Sequence, residues 1–337
     1  MNNKLQIAEW ENKIFDATYY NFDQLALEIF FSQSRTNEVY KNYINSLHIA
    51  PETINSIEKI PFLPISFFKT HKVVTTIFEP EITFESSGTT GENTSRHYVK
   101  DFSLYRKSFS KAFNAFYGYP SEWCVLGLLP GYLERKNSSL VAMVNELIQK
   151  SNNPYSGFYL HDHEKLYQAL VHNEIMRQPT LLIGVTYALL DFAEKYSMRL
   201  QNTTIMETGG MKGKREEMTR EEVHQILKNK FGLRSVHSEY GMTELLSQAY
   251  SKGNGLFQTP PWMKVLLREY NDPFAIVSSS KTEKPVNGLI NVIDLANLYS
   301  CCFIATDDIG KIYRNQNFEV LGRRDVSDLR GCSLLTV

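Results

Sequence analysis

Ser86-Ser87-Gly88-Thr89-Thr90-Gly91 is a run of hydroxyls set among glycines, and its reading decides how the rest of the chain is taken. The two glycines let the backbone bend tightly and approach a ligand closely. The hydroxyls and free backbone N–H groups then face one small volume, a donor-rich concavity suited to a polyphosphate. A P-loop would continue Gly-Lys-Ser/Thr, but here Gly91 is followed by Glu92. The stretch therefore binds a nucleotide, if it does, by a different scheme. Glu81 to Glu85 reads as a short strand leading into it, and His97-Tyr98-Val99 as a strand returning from it.

Outward from this loop the chain alternates. Asp101 caps a helix with an apolar stripe of Phe102, Tyr105, Phe109, Phe113 and Phe116, stopped by Gly118. Trp123 to Leu129 reads as a buried strand, and Leu140, Met143, Val144, Leu147 and Ile148 as a helix. Leu181 to Val185 is a second buried strand, followed by a helix to about Tyr196. Thr203 to Met206 is a third, ending at Gly209-Gly210. Thr219 and Glu222 form a capping box for a helix that stops at Gly232. This pattern predicts an α/β fold with mainly parallel strands flanked by helices. Ligands in such sheets sit beyond the carboxyl ends of the strands, where Gly209-Gly210 and Tyr240-Gly241 fall. The first 50 residues read as helices, with Phe22, Leu25, Ile29 and Phe30 on one face, and the prolines at 61 and 64 close that pattern.

The bulk numbers set the class. The 337 residues are 42% hydrophobic and 22% charged, ordinary for a globular protein with a sizeable core. A net charge of -1 argues against a broad nucleic-acid surface. The polar opening through Glu11 has no apolar signal core, and no apolar run approaches the roughly 20 residues that span a bilayer. Cys124, Cys301, Cys302 and Cys332 lack metal-ligand spacing, and the first three lie in or beside apolar runs. A reducing cytoplasm is the expected location.

Three further segments carry chemistry: Tyr240-Gly241-Met242-Thr243-Glu244, Thr306-Asp307-Asp308-Ile309-Gly310 and Gly322-Arg323-Arg324-Asp325. Taken singly, each also reads as a polar turn. In this order, with the hydroxyl loop, they resemble the core motifs of the adenylate-forming superfamily of acyl-CoA synthetases, luciferases and peptide-synthetase adenylation domains. The resemblance implies that Ser86, Ser87, Gly88, Thr89, Thr90 and Gly91 hold ATP phosphates. It sets Gly209 and Gly210 along the adenine pocket, Tyr240 and Gly241 against the adenine face, Thr243 on a phosphate and Glu244 on Mg2+. Asp308 falls on the ribose hydroxyls with Arg323 nearby, while Asp307 takes the place of a usual glycine. Attack of a carboxylate oxygen on the α-phosphorus of ATP gathers negative charge, which donors and a cation stabilise.

Two departures matter. The superfamily loop usually ends in Pro-Lys, whereas Glu92 to Ser95 leads here to Arg96 and His97. Lys212, Lys214 and Arg215 are candidates to replace the missing lysine, or else a solvated charged stretch. The resemblance also implies a C-terminal domain beyond the Gly322 hinge, yet the chain ends at Val337. The expectation is a large N-terminal domain with its C-terminal domain missing or reduced to a short tail. The expected division is 1–80 helical region, 81–321 catalytic core, and 322–337 hinge-like segment and tail.

That departure, with Ile60 to Val73 (Ile-Pro-Phe-Leu-Pro-Ile-Ser-Phe-Phe-Lys-Thr-His-Lys-Val) and the ending from Gly322 to Leu335, is similar to bacterial acyl-protein synthetases. These are the synthetase component of the fatty-acid reductase of luminous bacteria and its wider relatives. The resemblance implies that Cys332 takes the acyl group from acyl-AMP and passes it to a partner protein such as a reductase or carrier. Arg330 and Arg323 or Arg324 are cations able to favour its thiolate; the bland alternative is a small buried hydrophobe. The implied activity is a ligase using ATP and Mg2+ to make acyl-AMP from a fatty or other hydrophobic acid, then an acyl-protein thioester. Rival readings are a ligase delivering to CoA or a carrier, resembling phenylacetate-CoA ligases, and a nucleotide-binding subunit without catalysis.

Other residues carry less. His161-Asp162-His163 lacks a third metal ligand and reads as a loop. Glu207 either contacts substrate or ends a strand, and His237 either nears the acyl site or packs. Phe109, Phe113, Phe116 and Trp262 are acyl-pocket candidates whose default is core.

Overall fold

Amphipathic spacing builds the first elements of the computed structural model, which describes residues 3–86, 94–130, 137–209, 215, 218–277 and 284–324. Helices α1 (Asn3–Lys13), α2 (Phe22–Thr36) and α3 (Glu38–Ser46) open the chain. Phe22, Leu25, Ile29 and Phe30 form the buried face of α2. A two-residue strand, β1 (Leu63–Pro64), and the single turn α4 (Phe67–Thr70) follow the prolines.

The hydroxyl loop joins a ribbon of its own. Strands β2 (Ile82–Glu85) and β3 (Arg96–Val99) pair antiparallel, Glu85 opposite Arg96, as a two-stranded sheet apart from the main one. Helix α5 (Phe102–Tyr117) starts where the Asp101 carboxylate accepts from the Ser103 N–H. It ends at Gly118, whose φ of 79° favours glycine.

The alternating region then runs β4 (Cys124–Leu128), α6 (Ser139–Ser151), β5 (Gly157–Phe158), α7 (His163–Ile175), β6 (Thr180–Val185), α8 (Thr186–Lys195), β7 (Thr203–Thr208), α9 (Arg220–Phe231) and β8 (His237–Tyr240). These five strands pair in parallel in the order β5-β4-β6-β7-β8. Every residue of β4 and β6 is buried, as strands covered by helices on both faces require.

The sheet does not stop there. Strands β9 (Ala249–Ser251), β10 (Phe257–Gln258), β11 (Met263–Arg268), β12 (Ile276–Val277), β13 (Val286–Asp294), β14 (Phe303–Ile312) and β15 (Phe318–Arg323) extend it antiparallel, in the order β8-β9-β10-β15-β14-β13-β11-β12. Strand–helix alternation announces only the parallel half, because the described residues of the antiparallel half contain no crossover helices to mark it. The segment Thr306 to Gly310 lies inside β14 rather than in a turn.

The amino-terminal helices are fastened to this far half. Gln33 of α2 donates to the carbonyls of Asn297, Leu298 and Ser300 and accepts from the Cys302 N–H. Asn37 adds a bond to Ser300 O, and β1 pairs in parallel with β14.

Candidate active site

Tyr240 is the last residue of β8, and its hydroxyl donates to Asp308 Oδ2 at 2.8 Å. Its ring stands edge-on to Phe257 and Phe318 at 5.9 and 5.8 Å. Burial, then the neighbouring Asp308 carboxylate, raises the phenol well above its ordinary pKa. Asp308 is buried mid-strand, opposite Arg323 in the β14–β15 register, and Arg323 Nε lies 3.3 Å from Asp308 Oδ1. Two motifs, one on a strand end and one in a strand interior, thus meet in one cluster.

Thr243 and Glu244 follow in the turn after β8. Glu244 is 5% exposed. Burial pushes its carboxyl up, and the Ser95 hydroxyl and the charge of Arg323 pull it partway back. Asp294 is buried too, but it is saturated by the N–H groups of Leu246, Ser247 and Ala296 and the Ser247 hydroxyl. Asp294 therefore organises the turn, whereas Glu244 is the carboxylate that a bound cation would relieve. Among the described residues no three acidic, histidine or cysteine side chains converge as a metal cage. One carboxylate fits Mg2+, which dehydrates reluctantly and takes its other ligands from phosphates and water.

The ends of the hydroxyl loop reach the same place. Ser86 and Ser95 bond reciprocally, Ser86 N to Ser95 O at 3.0 Å and Ser95 N to Ser86 Oγ at 2.9 Å. The Ser95 side chain lies near the Glu244 carboxylate, whose pKa it lowers, and His97 Nδ1 lies 2.9 Å from Thr243 O. Gly209 follows β7 with φ 73°, a conformation that favours glycine, and its carbonyl accepts from Thr186 Oγ. Of the expected site residues, Ser87, Gly88, Thr89, Thr90, Gly91, Gly210 and Cys332 lie outside the described residues. So do Lys212, Lys214 and Arg330. Arg215 is spent on Asp191 and Glu194.

Other candidates find structural roles. Asp162 caps α7, accepting from Lys165 N, and His163 stands edge-on to Phe192. Glu207 pairs with Arg220 at 2.9 Å and lies 3.6 Å from His224. His237 meets the Tyr117 hydroxyl at 3.2 Å, and burial, with Lys252 nearby, lowers its pKa to about 4. Trp262 Nε1 donates to Ser108 and Ser247, and Phe109 and Phe113 are core. Cys301 and Cys302 are buried, Cys301 pushed up to about 12, so neither is a ready thiolate. A concavity of about 560 Å3 lined by Arg199, Arg234 and His237 lies at the starting ends of β7 and β8, away from Gly209 and Tyr240. Sequence reasoning passed over Ser95, His97 and Glu239. The alternation of buried positions at Ser95, His97 and Val99, running into β3, is the available signal for the first two.

Solved structures share this architecture. A 2-hydroxyisobutyryl-CoA ligase in complex with its acyl-AMP superimposes with a TM-score of 0.64, covering 92% of this chain and 69% of that one at 12% identity. ATP-bound MatB from Rhodopseudomonas palustris matches with a TM-score of 0.52 at 17% identity; 74% of this chain is covered, spanning half the length of that one. The fold is that of the large domain of adenylate-forming enzymes. Within that class the family described as acyl-protein synthetase, LuxE matches residues 13–336, and the chain belongs to that family of ligases. The long-chain-fatty-acid–luciferin-component ligase of Aliivibrio fischeri is 24% identical, over 93% of this chain and 86% of that protein. Its namesake from Vibrio harveyi is 24% identical over 88% and 82%. None of the described helices is long and apolar enough to cross a membrane.

Proposed function

We propose that the protein activates a fatty or other hydrophobic carboxylic acid with ATP, carries the acyl group on Cys332, and delivers it to a thiol of a partner protein in the cytoplasm. The observation that carries the nucleotide reading is the 2.8 Å bond between Tyr240 and Asp308, 68 residues apart, beside a buried Glu244 that touches the base of the hydroxyl loop. Membership of the acyl-protein synthetase family supports the protein acceptor.

In this reading the Tyr240 ring flanks the adenine and Asp308 accepts from the ribose hydroxyls, held in place by Tyr240 and Arg323. Residues 86–91 and Thr243 donate to phosphate oxygens. Mg2+ held by Glu244 would neutralise phosphate charge. A carboxylate oxygen of the acid bonds to the α-phosphorus, and pyrophosphate leaves with the electron pair of the broken P–O bond. The Cys332 thiolate, having lost its proton, then attacks the acyl carbon and AMP departs. Packing of Tyr240 against Phe257 and Phe318 would keep one wall of the site apolar, which favours survival of a hydrolysable anhydride. Residues 81–321 serve as catalytic core, 1–80 as a helical buttress, and 322–337 as the segment bearing the nucleophile.

Incubation with labelled fatty acid, ATP and Mg2+ tests this. Pyrophosphate release with a hydroxylamine-labile protein adduct is expected. Cys332→Ala should lose the adduct and keep the release. Release that depends on added CoA and ignores Cys332 would point to a CoA ligase, and nucleotide binding without release to a non-catalytic subunit.

A further inference from the structure

His97 is 1% exposed and inward-facing on β3, opposite Phe84 in the ribbon register and edge-on to Phe68. Any buried imidazole needs a partner for its N–H, so what bears on function is which partner this one takes. This one points Nδ1 at the Thr243 carbonyl from 2.9 Å, and a carbonyl only accepts, so Nδ1 carries the proton. Burial holds the ring's pKa at about 4, so it is neutral at working pH and that tautomer persists. Two residues earlier, Ser95 joins Ser86 to close the base of the hydroxyl loop, and its side chain lies near the Glu244 carboxylate, whose pKa it lowers. The ribbon thus meets two successive residues of one motif, and through His97 it is bonded to the first.

We propose that His97 is a positioning residue: it fastens the Thr243–Glu244 turn to the base of the β2–β3 ribbon, so that donors from both elements address the same phosphates. The functional half of this inference rests on the nucleotide reading above. Nothing else in the described residues connects the ribbon's outgoing strand to that turn through a side chain on β3. The ribbon lies outside the main sheet, so its position relative to β8 has no backbone ladder to set it.

Two variants test this. His97→Leu keeps an apolar body and removes the donor; His97→Asn keeps a donor one bond beyond Cγ, where Nδ1 stands. In ATP–pyrophosphate exchange the leucine variant should lose about 10–100-fold in kcat/KM for ATP, the usual size for loss of an orienting partner. KM for the acid should stay within about twofold, and the asparagine variant should recover most of the loss. Independently of activity, amide hydrogen exchange in residues 240–247 should quicken in the leucine variant and not in the asparagine one. Equal losses in both variants, or a lowered Tm with exchange kinetics intact, would reduce His97 to packing and overturn the proposal. A wild type without ATP–pyrophosphate exchange, but with the same contrast in amide exchange, would sink the nucleotide reading and leave the fastening standing.

Discussion

The two halves of the sheet place polar residues by different rules. In the parallel half they gather toward strand ends: Glu207 and Thr208 close β7, Glu239 and Tyr240 close β8, while β4 and β6 are apolar apart from Thr180, the first residue of β6. In the antiparallel half they sit inside strands. Asp308 and Thr306 lie within β14. Arg268 of β11 is buried and donates to Ile290 O, Asn291 Oδ1 and Thr306 O. A parallel strand enclosed by helices favours apolar side chains along its length and admits polar groups mainly toward its ends. Antiparallel strands place side chains directly opposite one another, so an acid inside one strand can face a base on its neighbour, as Asp308 within β14 faces Arg323 at the end of β15. The site is assembled from one group of each kind.

The largest expected break in this comparison is at their junction. Asp308→Ala should weaken ATP use by about 10–100-fold, as loss of a charged hydrogen-bond acceptor does, and leave the Tyr240 hydroxyl buried without a partner, at a cost of about 1–3 kcal/mol. Asp308→Asn, which still accepts from Tyr240, should recover the stability in denaturant titration but not the full affinity. Equal stability losses in the two variants would detach Tyr240 from Asp308 energetically.

A smaller effect sharpens the parallel side. Glu207 and Glu239 lie on adjacent strands, but Glu207 has Arg220 while Glu239, among the described residues, accepts from the Thr208 hydroxyl with no cation beside it, and burial raises Glu239 to about 7. A folded pKa above the unfolded one means the native state holds the proton longer, so stability falls as pH rises from about 4.5 to 7. Glu239→Gln should therefore match wild type near pH 4 and exceed it at pH 8 by up to about 3 kcal/mol, read as the Tm difference across that range. A pH-independent difference would show Glu239 to be paired after all.

The least effect is expected on the antiparallel side. A Cβ on Gly288 of β13 would stand 2.5 Å from the backbone oxygen of Arg268. That obstacle cannot rotate away, so Gly288→Ala should cost about 1–3 kcal/mol by overpacking, seen as a lower urea midpoint with ATP use per folded molecule unchanged.

The same contrast explains what the sequence discloses. Asp101, Gly118, Thr219, Glu222 and Gly232 mark their helices because caps are local chemistry. Buried strands such as Leu181 to Val185 announce themselves by composition. The turn glycine Gly209 and the aromatic Tyr240 stand at punctuated strand ends, where a reader looks. Asp308 is visible only through its motif; nothing local distinguishes a mid-strand acid from a turn acid. Ser95, His97 and Glu239 act through partners far along the chain, and His97 depends on a residue 146 positions away. Such a partnership leaves no trace in spacing.

Gln33 binds the turn at Asn297 to Cys302 from the far end of the chain, 269 residues from its most distant partner. At a synthesis rate of about 5–20 residues per second, that separation is roughly 15–50 s on the ribosome. Through that interval the amino-terminal helices are made, and their buried amide has the Thr75 hydroxyl, 42 residues on, but not yet the carbonyls at Asn297, Leu298 and Ser300. The contacts that seat α2 against this turn therefore form only after residues 297–302 have been made, so docking of the opening helices is a late step of folding during synthesis.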